Sequence, residues 1–368
     1  MRVLVTGANG FIGKNLVLRL REQVNTEVLT YVRGQDDGTL SELLAQADAV
    51  VHLAGENRPA DVQAFTDVNV GLTERICQSM LAHGRLLPLI LTSSAQAELD
   101  NPYGRSKLAA EQAVQALAHE QGNPVAIYRL PGVFGKWCKP NYNSVVATFC
   151  HNKARDLAVQ ISDASVRVRL VYVDDVINAM LAQLSSGWAG MQRPAVAPEY
   201  SVTLGELSDQ IDAFKNCRST LVSERVGTGF VRALYATYVS YLPVDKFAYP
   251  VPVHGDARGV FVEMLKTPDA GQFSFFTAHP GITRGGHYHH TKTEKFLVIK
   301  GHARFGFRHM LTNEVHHLET SGEQPQIVET VPGWTHDITN IGTDEMVVML
   351  WANEIFDRAN PDTIASKV

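Results

Sequence analysis

The 368-residue chain predicts an α/β protein, a doubly wound parallel sheet followed by a smaller all-β domain. Three observations lead there. From Met1 to about Leu242, short apolar runs alternate with segments of helical periodicity, the pattern of successive strand-helix-strand units. A glycine-rich turn, Thr6-Gly7-Ala8-Asn9-Gly10-Phe11-Ile12-Gly13, joins the first strand to the first helix. After Tyr241-Leu242-Pro243 the character changes to short β-rich segments separated by Gly, Pro and Asp turns, as in a small barrel or jelly roll.

In order, the first part runs VLVT and a helix from Phe11, then EVLTYV, AVVHLAG, LPLILTSS, a helix from Tyr103, and VAIYRLPGVFG. Residues from about Pro140 to Leu242 are less regular and are expected to form a substrate-binding lobe. The second part reads GVFVEML, QFSFFTA, EKFLVIKG, HARFGFRHM, QIVETVP and EMVVMLWAN. The proline-rich seam at Pro243 to Pro252 divides the chain into expected domains 1–243 and 244–368. A net charge of −5 with no Lys or Arg block argues against nucleic acid as a partner, while a phosphate-bearing small molecule stays open. Cys77, Cys138, Cys150 and Cys217 show no CxxC spacing, which suits reduced thiols in a cytoplasmic enzyme. No signal peptide precedes the first strand and no apolar run is long enough for a bilayer, so membrane insertion is not expected.

The glycine turn carries the first piece of chemistry. Gly7 permits a tight turn, Gly10 lets the backbone approach a pyrophosphate, and Gly13 allows close helix packing, with the helix N-terminus facing the anion. A Rossmann-type doubly wound sheet with a dinucleotide is therefore expected; a ligand-free structural turn is the plain alternative. The second strand ends Tyr31-Val32-Arg33-Gly34, where NAD-selective sites carry an acid. Arg33 can meet a 2′-phosphate, so NADPH is expected over NADH, although Asp36 and Asp37 follow closely.

Tyr103 and Lys107 lie four apart on one helix face, a spacing also common as surface decoration. An ammonium beside the phenol would lower its pKa and make it a proton donor for a carbonyl oxygen, and Ser94 at the end of LILTSS can hydrogen-bond the same oxygen. TGANGFIG, HLAG (52–55), DVNVGLT (67–73), LTSSA (91–95), YGRSK (103–107), RLPGVFG (129–135) and VYVDDV (171–176) together resemble the successive motifs of the extended short-chain dehydrogenase/reductase family. The resemblance implies coenzyme contacts at Gly7, Gly10, Phe11, Ile12, Gly13, Arg33, Leu53, Ala54, Asn69, Tyr103 and Lys107, with Tyr103 as acid/base. Lys107 would bind the nicotinamide ribose, and Ser94 the substrate oxygen. Family members mostly act on nucleotide-linked sugars. Where many relatives carry Tyr-Gly soon after the serine, this chain reads Gln96-Ala97-Glu98 and reaches Tyr103 nine residues after Ser94, which shortens the loop that helps hold the sugar. Arg129, Lys136, Asn141 and Arg169 are the candidate substrate contacts, with Tyr142 and Arg167 nearby; Arg169 is preferred for a diphosphate, against the alternative of an exposed strand-edge arginine.

The β domain concentrates ten of the fourteen histidines, and this directs attention to Gly281–Gly301, GITRGGHYHHTKTEKFLVIKG. His287 and His289, two apart on a strand, project to one face, and the following turn can bring Glu294 beside them. Two imidazoles and a carboxylate suit a divalent metal; a His-rich surface hairpin is the plain alternative. The spacing resembles the first cupin motif, and Pro332-Gly333-Trp334-Thr335-His336 resembles the second, with Gln326 in place of its leading glycine. The resemblance implies a cupin (jelly-roll) domain holding one metal on His287, His289, Glu294 and His336, zinc first and iron, manganese or nickel as alternatives. GDARGVFVEML (255–265) and TRGGHYHH (283–290) also resemble segments of the metal-free deoxysugar 3,5-epimerases, in which a histidine at the place of His287 acts as base.

The order of reductase then cupin resembles the bifunctional capsule and O-antigen enzymes on the route to UDP-N-acetyl-L-fucosamine. That implies C3 epimerisation of a UDP-linked 4-keto-6-deoxy-N-acetylhexosamine and NADPH reduction at C4 to UDP-2-acetamido-2,6-dideoxy-L-talose, in a homodimer or higher homo-oligomer. Two alternatives are a single-function reductase with a structural or dimerising cupin and a non-enzymatic NAD(P)-sensing protein.

Overall fold

The structure, a computed structural model, describes all residues except 60, 257, 258, 263, 266, 268–270 and 355–358, with the main chain alone at 253–256, 259–262 and 272. Of the expected GDARGVFVEML segment, Ala257, Arg258 and Glu263 thus lie outside the described residues. The described residues group into two compact units, 1–144 with 168–201 and 145–167 with 202–368.

The chain begins β1 (Arg2–Thr6), α1 (Phe11–Arg21), β2 (Glu27–Tyr31), α2 (Asp37–Gln46), β3 (Ala49–His52), α3 (Leu72–His83), β4 (Leu89–Ser94), α4 (Pro102–Gln121), β5 (Val125–Leu130) and β6 (Gly132–Phe134). It continues with α5 (Val145–Ala154), β7 (Arg167–Tyr172), α6 (Val173–Ser186), β8 (Met191–Gln192) and β9 (Glu199–Thr203). The main sheet has the order β2-β1-β3-β4-β5-β8, and every pairing in it is parallel. Strands covered on both faces need apolar residues at consecutive positions, and β3 and β4 are buried throughout. Leu4, Leu44, Val50, Ile76, Leu89 and Ile127 share one core cluster. The reversal of strand order beside β1 opens a crevice at the carboxyl ends of β1 and β3.

The second unit contains α7 (Leu204–Thr220), α8 (Gly229–Ser240), β10 (Ala248–Pro250), β11 (Val253–Asp256), β12 (Gly259–Val262), β13 (Gln272–Ala278), β14 (Thr283–Tyr288), β15 (Glu294–Lys300) and β16 (His302–His309). It ends with β17 (Val315–Ser321), β18 (Gln326–Glu329), β19 (Trp334–Asn340), β20 (Met346–Ala352) and β21 (Ile364–Ala365). Two antiparallel five-stranded sheets form, β10-β18-β15-β20-β13 and β17-β16-β19-β14-β21. They face each other through aromatic side chains: Phe296 on β15 lies 5.7 Å, ring to ring, from Phe305 on β16. This is the predicted fold class, a parallel Rossmann-type sheet followed by antiparallel all-β sheets.

The stretch from 140 to 242 is more regular than expected and is mostly helical. In α8 every residue from Ala233 to Val239 is buried, so no polar face exists to mark a helix by periodicity. The seam at Pro243 marks the change from helix to strand, while the grouping by contact runs across it and places α5, α7 and α8 with the β sheets. Glu329 ties two of these helices to the sheet. Its buried carboxylate pairs with buried Lys295 of β15 and with Arg218 of α7, and it accepts a hydrogen bond from Tyr235 of α8 at 3.3 Å.

Candidate active sites

In the first unit the coenzyme turn is shaped by close contact. Gly7 has φ +67°, and a Cβ there would stand 2.6 Å from the Ala54 nitrogen. A Cβ on Gly13 would stand 2.1 Å from the Gly7 carbonyl oxygen, so only glycine lets α1 begin against the turn. A buried polar chain fixes the facing strand end. Thr73 Oγ1 donates to the Asn69 carbonyl (2.7 Å), which leaves it to accept from His52 Nε2 (2.9 Å). His52 Nδ1 then accepts from Thr6 Oγ1 (2.6 Å), which in turn accepts the N–H groups of Leu53 and Ala54 (both 3.2 Å). Burial, with Lys107 second, holds His52 neutral, its pKa down at about 3.

The resulting cleft of about 510 Å³ is lined by Gly7, Gly10, Arg33, Leu53, Ala54 and, unforeseen from the sequence, Arg75. Of the other expected coenzyme contacts, Phe11, Ile12, Gly13, Asn69, Tyr103 and Lys107 do not line it. Gly13 acts by packing, and Asn69 by bridging: its side chain accepts the Glu56 N–H (2.7 Å) and donates to Ser106 Oγ (2.9 Å). The two acids after β2 are engaged elsewhere. Asp36 caps α2 by accepting the Thr39 N–H at 2.8 Å, and Asp37 pairs with Arg75 at 3.1 Å. Arg33 is 85% exposed and pairs with Glu56 at 3.0 Å, and Glu56 also accepts from the Tyr142 hydroxyl at 3.1 Å.

Tyr103 occupies the first turn of α4, behind an Asn101 N-cap that accepts the Gly104 N–H (2.7 Å) and a proline at the first helical position. A Cβ on Gly104 would come within 2.3 Å of the Gln96 and Leu99 carbonyl oxygens, so the shortened loop after Ser94 packs directly on the residue beside the tyrosine. The expected effect of Lys107 on the phenol is corrected by the structure. Burial raises the Tyr103 pKa, and the Ser94 hydroxyl is what pulls against it. Lys107 instead donates to the Thr92 carbonyl at 2.7 Å, and burial brings its own pKa to about 8, opposed by Glu111.

The substrate candidates separate. Lys136 is fully buried with its ammonium 2.9 and 3.0 Å from the two carboxylate oxygens of Asp174, so it is a structural ion pair and not a substrate contact. Arg129 is held by both oxygens of Glu111 (2.8 and 2.7 Å) and by Glu98 (2.9 Å), which engages each of its three nitrogens. Arg169 is exposed and forms a two-pronged pair with Glu199 at 2.5 and 2.9 Å. Asn141 is exposed, in a left-handed conformation at φ 53°.

In the second unit, His287, His289, Glu294 and His336 come together, one potential ligand atom from each lying within 4.8 Å of all the others. Their convergence comes from strand register. His287 on β14 is the direct partner of His336 on β19, and the ladder bulges between Gly285 and His287. Gly285 and Gly286 take φ 92° and 71° there, so the paired glycines make the bulge that aims His287 inward. Glu294 opens β15 on the opposite sheet.

Within the cluster, His289 Nε2 is 3.1 Å from Glu294 Oε2, and His336 Nε2 is 3.5 Å from the same oxygen. Among the described residues neither nitrogen of the buried His336 ring has a partner with hydrogen-bond geometry. Burial, with His336 and His289 next, lowers the His287 pKa to about 3, and burial likewise lowers that of His336. Burial alone would raise Glu294, but His289 and His336 facing it hold it well below the carboxylate range. The lowered imidazoles of His287 and His336 beside an ionised carboxylate, with His289 next to it and two orphaned buried nitrogens on His336, form a donor set that fits a divalent metal. His287, Glu294 and His336 also line a cavity of about 190 Å³ walled by Phe276, Phe296 and Phe305.

Residues 3–193 match the model described as the NAD dependent epimerase/dehydratase family, and residues 254–364 match the polysaccharide biosynthesis C-terminal domain. The chain belongs to the NAD dependent epimerase/dehydratase family. Membership in this family implies a nicotinamide coenzyme, and the cleft beside Gly7 and Gly10 is the place its geometry suits. A UDP-2-acetamido-2,6-beta-L-arabino-hexul-4-ose reductase of Pseudomonas aeruginosa strain PA103 is 56% identical over 368 residues, 100% of this chain and 99% of that protein. The capsular polysaccharide assembling protein CapF from Staphylococcus aureus matches with a TM-score of 0.68 and 42% identity over the whole of both chains. UDP-glucuronic acid 4-epimerase from Bacillus cereus shares the fold of the family part, with a TM-score of 0.53 and 19% identity over 59% of this chain and 84% of that one. Among the described residues no helix is long and apolar enough to cross a membrane.

Proposed function

We propose that this chain converts a UDP-linked 2-acetamido-2,6-dideoxy-4-keto hexose in two steps, C3 epimerisation in the β domain at 244–368 and NADPH-dependent C4 reduction in the domain at 1–243, giving UDP-2-acetamido-2,6-dideoxy-L-talose. The observation that carries the reading is the Ser94, Tyr103 and Lys107 set in a family member that matches a hexul-4-ose reductase from end to end. Bound coenzyme would supply hydride to C4. Tyr103 would then give its proton to the C4 oxygen while the Ser94 hydroxyl donates a hydrogen bond to the same atom. Lys107 keeps a cation one helical turn away, anchored by the Thr92 carbonyl. Arg33 and Arg75 at the cleft support the choice of a coenzyme carrying a 2′-phosphate.

In the β domain His287, His289, Glu294 and His336 would hold one divalent metal, zinc by donor type. When bound, such an ion supplies Lewis acidity that eases loss of the proton beside a ketone. Phe276, Phe296 and Phe305 line the cavity and would keep water from the reacting carbon. Tyr103→Phe protein incubated with the 4-keto sugar in deuterated water tests both halves. Deuterium is expected at C3 without NADPH oxidation. Absence of deuterium with wild-type protein still reducing the sugar would leave a single-function reductase, and NADPH oxidation by the Tyr103→Phe variant at the wild-type rate would remove Tyr103 from its role.

A further inference from the structure

The geometry points to Asp362, in the C-terminal tail, as the positioning residue that builds the histidine-rich centre. The inference rests on the proposed metal reading of that centre. Four bonds converge on this residue. One carboxylate oxygen accepts the His290 N–H at 2.9 Å, and the other accepts the N–H groups of Thr291 (2.7 Å) and Lys292 (2.8 Å) and the Thr291 hydroxyl (3.0 Å). Three consecutive backbone donors of the turn that links His289 to Glu294 are thus gathered by one side chain. The Asp362 main-chain carbonyl meets His289 Nδ1 at 2.5 Å.

That last contact decides the histidine's chemistry. A carbonyl can only accept, so His289 carries a proton on Nδ1 and presents Nε2, 3.1 Å from Glu294 Oε2, as the nitrogen that would meet a metal. The residues after Asp362 extend the grip. Ile364 and Ala365 form β21 against Tyr288 and His287 of β14, and the Ser366 N–H donates to the Gly286 carbonyl at 2.9 Å. Beside it, Lys292 donates to Thr363 Oγ1 (3.1 Å) and stands 3.3 Å from Glu294 Oε1, the oxygen turned away from the histidines. The tail therefore sets the tautomer of one proposed ligand, the strand position of a second and the turn that leads to a third. None of these tail residues lies in either motif through which the centre is legible in the sequence.

Asp362 acts through His289 and the 290–292 backbone. Substitution should weaken metal binding and alter the geometry of the bound ion while leaving the first unit intact. Asp362→Ala and Asp362→Asn proteins are titrated with zinc against a chromogenic chelator and with cobalt(II) under electronic spectroscopy, with NADPH binding and circular dichroism recorded on each. Zinc affinity should fall about 10- to 100-fold. The cobalt visible bands should shift in position and intensity, with NADPH binding unchanged. The asparagine variant, which keeps one acceptor oxygen but turns an N–H₂ donor toward other donors, decides the matter if the alanine variant does not fold. Wild-type chain that takes up neither metal would overturn the metal reading itself. Wild-type uptake with equal affinity and an unchanged cobalt spectrum in Asp362→Asn would overturn the role of Asp362 alone.

Discussion

If Arg33 meets a coenzyme 2′-phosphate as proposed, Glu56, which holds it at 3.0 Å, would compete for it, and coenzyme preference would be set by that competition. The pair is mostly solvent-exposed on the arginine side, which places its worth in the range of about 0.2–1 kcal/mol. A hydrogen bond from a charged donor to phosphate contributes about 1.5–3 kcal/mol in favourable surroundings, and exposure puts Arg33 near the lower figure. Arg33→Ala should therefore weaken NADPH binding about 10-fold and leave NADH within about 2-fold. Glu56→Gln removes the competitor and should tighten NADPH by up to about 5-fold. Because Glu56 also accepts from Tyr142, Tyr142→Phe serves as a control for loss of that bond alone. Fluorescence titration of both coenzymes at about 0.05 and 0.5 M salt measures the effect, and the NADPH advantage should shrink at high salt. An unchanged ratio of NADPH to NADH affinity in Arg33→Ala would refute the assignment, and looser NADPH binding in Glu56→Gln would refute the competition.

Lys107 gives a pH signature. Its folded pKa, about 8, lies below the ordinary lysine value of 10.5, so between those values the unfolded chain binds more protons and stability from this group rises with pH. Thermal melts of wild type from pH 7.5 to 10 should therefore contain a stabilising component that Lys107→Met lacks; identical pH dependence in the two proteins would contradict it. Gly13→Ala pushes a methyl into the Gly7 carbonyl and should cost about 1–3 kcal/mol in urea melts together with loss of coenzyme binding. Glu329→Ala leaves buried Lys295 without its counter-charge and should destabilise the second unit by about 3–5 kcal/mol in a denaturant titration, whereas a loss under 1 kcal/mol would show that water reaches the lysine.

The parallel sheet was legible because strands buried on both faces must be written as unbroken apolar runs, and β1, β3, β4 and β5 each appear that way. The histidine centre was legible for a related reason. A strand repeats every two residues, so His287 and His289 declare a shared direction even before their partners are known. Less was visible between 140 and 242. The helix α8 is buried on every side from Ala233 to Val239, and β9 and α5 lie far apart in sequence from the elements they join. Arg129 and Lys136 show the limit of reading charge from sequence. Each is a basic residue at one end of the RLPGVFG motif, and each is claimed by an acid 18 or 38 positions away.

By itself the sequence determined the two-part architecture, the glycine turn at Gly7 to Gly13, the Tyr103 and Lys107 pair, and the four side chains of the histidine centre, because each is a local pattern whose spacing carries its own geometry. Tertiary structure alone decided what stands around them. It set Asp36 as a helix cap and Glu56 as the partner of Arg33, gave Lys107 to the Thr92 carbonyl, and brought Asp362 across 73 positions to His289. Those contacts depend on which distant groups the packed chain brings within about 3 Å, and no periodicity along the chain records that distance.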